Sequence, residues 1–85
     1  MKLEVTDGGV TVDARDLAPL IGCRPADVPG LMREGKITSV FERGEGADAG
    51  RFRVSFRFGA TKVRFTCAED GTVLSQIRTT VPDAG

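Results

Sequence analysis

The chain contains no histidine, tyrosine or tryptophan, so the side chains that most often carry acid–base catalysis near neutral pH are missing or reduced to carboxylates. Cysteine is scarce too: Cys23 and Cys67 are the only two, and no histidine is present to complete a zinc site of the usual Cys/His type. Two thiols make no disulfide framework, and reduced thiols are expected. No segment approaches the run of about 20 apolar residues that a membrane helix requires. The opening MKLEVTDGG includes Glu4 and Asp7 and no apolar signal core. A cytoplasmic location without membrane contact is the expectation. No nucleophile has an evident base, and the scattered acids are accounted for by caps and turns. The expectation is a non-enzymatic protein with no cofactor.

Net charge is also absent, with 12 bases against 12 acids, but the charges are unevenly placed. Residues 1–50 hold nine acids and six bases, or −3; residues 51–85 hold three acids and six bases, or +3. Between Arg51 and Ala68 stand five cations, Arg51, Arg53, Arg57, Lys62 and Arg64, and no acid. At 85 residues, 40% of them hydrophobic, the chain suits a single domain with one modest core.

Local patterns divide that domain. In residues 1–12, LEV and VTV flank TDGG, so a turn at Asp7-Gly8 sets Val5 opposite Val10 in a short hairpin. In residues 13–35, Asp13 is an N-cap, Leu17, Leu20 and Ile21 recur at helical spacing, and Gly22 ends the first helix. A second helix starts near Pro25, shows Val28, Leu31 and Met32 on one face and stops at Gly35. Pro19 and Pro29 fall in the helix interiors, so both helices should be short or kinked.

From residue 36 to 80 the period is two. RFRVSFRF places Phe52, Val54, Phe56 and Phe58 on one face and Arg51, Arg53, Ser55 and Arg57 on the other. A type II′ turn at Gly59-Ala60 pairs Arg57 with Lys62, Phe56 with Val63 and Val54 with Phe65. A loop at Glu69-Asp70-Gly71 pairs Cys67 with Val73 and Val63 with Ile77. Matching Phe41 to Phe52 and Ile37 to Phe56 completes a four-stranded antiparallel meander and sets Glu42 beside Arg51. Residues 81–85 form a loose tail. The fold class is α+β, with the N-terminal hairpin, two short helices and the meander packed on the helices.

These registers align Lys36, Arg57, Lys62 and Arg78 in one outer row, with Arg53 and Arg64 in neighbouring rows. A row of this kind suits an anion or an acidic protein surface. It is equally compatible with solvated surface, since Lys and Arg also discourage sheet aggregation, or with a homodimer interface. Cys67 falls on an apolar strand face, where a thiol is buried and inert. Cys23 precedes Arg24 and Pro25 at a helix start, a place that lowers a thiol pKa and suits a redox role.

Residues 13–40, DARDLAPLIGCRPADVPGLMREGKI and the strand after it, resemble the helix-turn-helix and first wing strand of excisionase-like and MerR-like winged-helix proteins. That resemblance implies DNA binding, with Arg24, Arg33 and Lys36 on phosphates and Arg43, Arg51 and Arg53 in a wing. The second helix nevertheless starts with Ala26, Asp27, Val28, Pro29 and Gly30, where base-reading side chains would stand. Through VTVDARDLAPLIG, VPGLMREGKITS and ERGEGADAGRFR, the chain also resembles, over almost its whole length, a family of small bacterial proteins of unknown function. This second resemblance implies a stand-alone domain and assigns no activity.

The loop GEGADAG is a near miss for a dinucleotide fingerprint: its third glycine is one residue late, strands flank it, and its acids would oppose a pyrophosphate. The favoured reading is a binding or regulatory module whose Arg57 and Lys62, flanked by Lys36, Arg53, Arg64 and Arg78, engage an acidic protein or an anionic ligand. The alternative is a winged-helix-like DNA-binding regulator.

Overall fold

The alternation that dominates the sequence also dominates the structure. A computed structural model describes residues 3–6, 9–44 and 46–81. Strands β3 (Ile37–Arg43), β4 (Arg51–Phe58), β5 (Thr61–Ala68) and β6 (Val73–Thr80) form a four-stranded antiparallel meander in that order. Before it come a hairpin of β1 (Glu4–Thr6) and β2 (Gly9–Thr11) and two short helices, α1 (Ala14–Ile21) and α2 (Val28–Arg33). The architecture is α+β, as the sequence predicts.

The β4–β5 hairpin has the expected register, with Arg57 opposite Lys62, Phe56 opposite Val63 and Val54 opposite Phe65. Gly59 supplies the positive φ of the turn, at +59°, while Ala60 does not share it. That combination fits type II′ rather than I′. The inner face of this hairpin, Phe52, Val54, Phe56, Val63, Phe65 and Cys67, is buried. Helix α1 covers it with Leu17, Ala18 and Ile21, while α2 lies against β3 through the buried Val28 and Ile37. Phe56 and Phe65 meet edge to face, with centroids 6.1 Å apart.

Each helix is bounded by local chemistry. Asp13 caps α1 by accepting the Arg15 backbone N–H at 2.8 Å, and Gly22 ends it in the left-handed conformation with its N–H on the Ala18 carbonyl. The expected second helix begins instead as a 3-10 turn over Pro25–Asp27. Pro29 therefore falls in the first turn of α2 and not in its interior, where its missing N–H costs nothing.

The N-terminal hairpin pairs Val5 with Val10 as expected; the turn assigned to Asp7-Gly8 lies outside the described residues, as does the tail from residue 82. Its anchor is Leu3, 1% exposed, whose N–H donates to the Gly71 carbonyl at 2.8 Å. Gly71 has φ +96°, and a Cβ there would overlap the Leu3 carbonyl oxygen. The β5–β6 loop thus accommodates glycine alone for two reasons, backbone conformation and close approach.

Two sheet registers differ from expectation. β3 slides by two residues along β4, so that Ile37 faces Phe58, Phe41 faces Val54 and Glu42 faces Arg53 rather than Arg51. A shift of two preserves the faces. β6 starts as expected, with Cys67 opposite Val73, but a bulge follows and Thr66 faces Ser75. Leu74 is the extra residue, and beyond it Val63 faces Arg78 and Arg64 faces Ile77. A shift of one exchanges the faces of every residue after the bulge.

Cys67 is fully buried, as expected, and burial pushes its thiol up. The expectation for Cys23 is corrected. This residue follows the C-cap of α1, at the negative end of that helix, and precedes only a 3-10 turn. Burial pushes its thiol up, and the Asp27 carboxylate adds to the shift.

Gly71→Ala should therefore destabilise the fold by about 3 kcal/mol, through strain at positive φ and the clash with Leu3, whereas Gly59→Ala, which meets no atom within 4 Å, should cost about 1 kcal/mol. Urea unfolding of the two variants checks the order. Iodoacetamide should modify Cys23 more slowly than free cysteine near neutral pH, with the rate still climbing above the free thiol value of about 8.5, and should reach Cys67 only after unfolding. A Cys23 rate above that of free cysteine would contradict the raised thiol pKa.

Candidate functional site

With the helices on one side, the other face of the meander is open. Residues directly opposite each other in an antiparallel ladder project to the same side, so the observed registers define this face row by row. Its rows read Thr38, Arg57, Lys62, Thr79; then Val40, Ser55, Arg64, Ile77; then Glu42, Arg53, Thr66, Ser75. Arg51 and Ala68 form the last pair of β4 and β5. Glu42 is the only acid among these strand residues, against Arg51, Arg53, Arg57, Lys62 and Arg64. All five phenylalanines of the chain fall on the opposite, helix-side face.

The structure brings together four of the six residues assigned to the cationic site: Arg53, Arg57, Lys62 and Arg64. Lys36 and Arg78 leave the expected row. The two-residue slide of β3 puts Thr38 opposite Arg57, so Lys36 precedes the strand and pairs with Glu34 at 3.5 Å. The bulge in β6 turns Arg78 to the side of Val63, where it sits exposed at the sheet edge.

Arg57 and Lys62 form the centre of what remains. They are direct cross-strand neighbours, and like charges so placed repel. Beside them Thr38, Val40, Ser55 and Val81 help to line a shallow cleft of about 280 Å³. Arg53 reaches Glu42 at 3.9 Å, a loose and exposed pair. Arg64 Nε is shielded from solvent yet has no hydrogen-bond partner among the described residues.

Three features of this face are absent from the sequence reading, and two of them escape sequence reasoning altogether. Ser55 is only 6% exposed, because a short side chain on a crowded face lies below the long ones around it. Val40 and Ile77, at 58% and 52%, place apolar groups at the two ends of the Arg64 row. Ile77 was beyond reach without the bulge; Val40 was legible, since strand alternation already puts it with Glu42.

The residues assigned to DNA contact are dispersed. Arg24 is bound to Asp27 at 2.9 Å, and Arg33 stands in the last turn of α2, where a cation complements the helix end. Arg43 lies on the helix-side face, its guanidinium 5.6 Å from the Phe41 ring centroid, whereas Arg51 and Arg53 point to the open face. A depression of about 770 Å³ beside α2 is lined by charges of both signs, Arg24, Arg33, Asp27 and Glu34. With six residues, α2 is about 9 Å long and presents no base-reading side chain at its start. The winged-helix likeness gains no support from this arrangement.

No group of three or more His, Cys, Asp or Glu side chains among the described residues is placed to hold a metal ion. No helix among them is long and apolar enough to cross a membrane. In comparisons with known proteins, no curated protein and no solved structure matches the chain. A family model does match, over residues 1–84, and the chain belongs to that family, described as a family of unknown function (DUF6522).

Proposed function

We propose that this protein is a small, non-enzymatic binding or regulatory module whose open sheet face captures an acidic partner. The observation that carries the reading is the Arg57–Lys62 pair with Arg53 and Arg64 beside it, facing outward on the two central strands, with Glu42 the one acid among the described strand residues of that face. Folding gains nothing from opposing two cations, and a negative partner would turn that repulsion into attraction.

Geometry favours an acidic protein segment over other anions. Same-face residues along a strand recur every two residues, about 6.8 Å apart, which is also the spacing of alternate side chains in an extended peptide. Arg51, Arg53 and Arg57 on β4, with Lys62 and Arg64 on β5, match carboxylates at alternate positions of such a segment. Nucleic acid fits less well. A sheet that binds single strands offers aromatic stacking platforms, and the phenylalanines here all face the core side. The winged-helix alternative needs Arg33 and its neighbours beside α2, where Asp27 and Glu34 sit among the cations.

Fluorescence anisotropy with a labelled poly-glutamate peptide and with a labelled random-sequence DNA duplex separates these readings. Poly-glutamate should bind at low salt and weaken as salt rises, and Arg57→Glu with Lys62→Glu should remove at least tenfold of the affinity, while Arg33→Glu changes little. Salt-sensitive duplex binding that Arg33→Glu weakens and the sheet variants do not would overturn the proposal in favour of DNA binding. Lys62→Glu alone should also raise thermal stability slightly, by about 0.5 kcal/mol, because it replaces a like-charge pair on the open face with an opposite one. Lost capture with raised stability would separate a binding role from a structural one.

A further inference from the structure

The two edges of the meander are unequal. β6 carries the bulge at Leu74, a device that disrupts pairing with further strands. β3 has no such interruption: its seven pairs with β4 run in one register, and Thr38 to Arg43 are all exposed. In the middle of it, Val40 and Phe41, 58% and 42% exposed, put apolar side chains on opposite faces of an edge that no strand among the described residues pairs with. An edge of that kind is a template for another strand.

The strand is also complementary to itself. We propose that β3 pairs antiparallel with β3 of a second copy, centred on Ser39. In this register Ile37 faces Phe41 and Thr38 faces Val40 of the second copy, Lys36, just ahead of the strand, comes level with Glu42, and two-fold symmetry repeats each match. Paired residues are an even number apart, so outer residues meet outer residues and inner meet inner. Neighbouring centres fit worse. Centring on Val40 sets Thr38 against Glu42 and leaves Lys36 without an acid, centring on Phe41 sets Val40 against Glu42, and centring on Glu42 opposes like charges.

The existing partners do not prevent the exchange. Lys36–Glu34 at 3.5 Å and Glu42–Arg53 at 3.9 Å are both exposed pairs of small worth. The product is one continuous sheet joining two four-stranded halves, about 34 Å across at the usual spacing of about 4.8 Å. Both cationic faces lie on the same side of it. The pairing does not depend on what those faces bind.

Sedimentation equilibrium across the micromolar range tests the interface. The wild-type protein should show twice the 9.0 kDa chain mass. Lys36→Glu and Glu42→Lys should each weaken association by roughly tenfold or more, since each reversal sets like charges opposite at two symmetric places. The double exchange should restore it, with circular dichroism confirming that every variant is folded. Val40→Lys, which places a lysine on the exposed edge, should also yield monomer. A wild-type mass of 9.0 kDa throughout would overturn the proposal. So would folded single variants that the double exchange fails to rescue, or a dimer that survives Val40→Lys and is lost with Ile77→Lys, which would place the contact on β6.

Discussion

Strict alternation along β4 and β5 governs the rest of the molecule. The two strands share eight cross-strand pairs fixed by the Gly59-Ala60 turn, and every phenylalanine in them lies on one side. Slipping the register of one strand by a single residue would turn its apolar set to water, and each buried Phe or Val is worth about 1.5–3 kcal/mol. Repulsion between Arg57 and Lys62 is smaller than any one of those terms. The apolar face therefore decides the register, and the cations go where the alternation sends them. A cationic face on this fold is first a consequence of core packing, and only then available for use.

The helical layer is equally dependent on that core. Neither α1, at eight residues with Pro19 inside it, nor α2, at six, is long enough to persist alone in water. They are held by burying Leu17, Ala18, Ile21 and Val28 on the sheet. Their caps and glycines are the same local signals that a helix-turn-helix uses, which accounts for the likeness in sequence. What a DNA reader needs in addition, a long exposed helix with base-reaching side chains, is not found among the described residues. The hairpin β1–β2 closes the other end through Leu3 and Gly71, so the N-terminal segment and the β5–β6 loop hold each other in place.

How much of this was legible depended on whether the deciding chemistry was local. The Gly59 turn, the Asp13 cap, the Gly22 stop and the left-handed Gly71 each follow from one or two residues, and the structure has them all. The β3–β4 register depended on a connection with several glycines, none of which singles out a turn, and it was off by two residues. The bulge at Leu74 has no signature in TVLSQIRTT; it arises from how β6 meets β5 after the loop. That one undetectable residue moved Arg78 to the other face and brought Ile77 to the open one. Cys23 failed for a different reason. Proximity to Pro25 marked a helix start, whereas the thiol sits at the end of the preceding helix and beside Asp27.

Charge on the open face acts collectively because its spacings are short. Neighbouring strands are about 4.8 Å apart and same-face residues along a strand about 6.8 Å, both inside the Debye length of about 8 Å at physiological salt. Arg57, Lys62 and Arg64 therefore present one potential rather than three separate ones, with Arg53 at its margin beside Glu42. The field of a broad patch falls off more slowly with distance than that of a single exposed ion pair, so enlarging the patch increases its reach more than any one added contact does. Pairing through β3 would enlarge it in this way, and the Lys36–Glu42 pairs at the seam would place no uncompensated charge between the two halves. The edge proposed to take a second copy and the face proposed to take an acidic partner would then be parts of one surface. Neither needs the helices for anything beyond keeping the phenylalanine side dry.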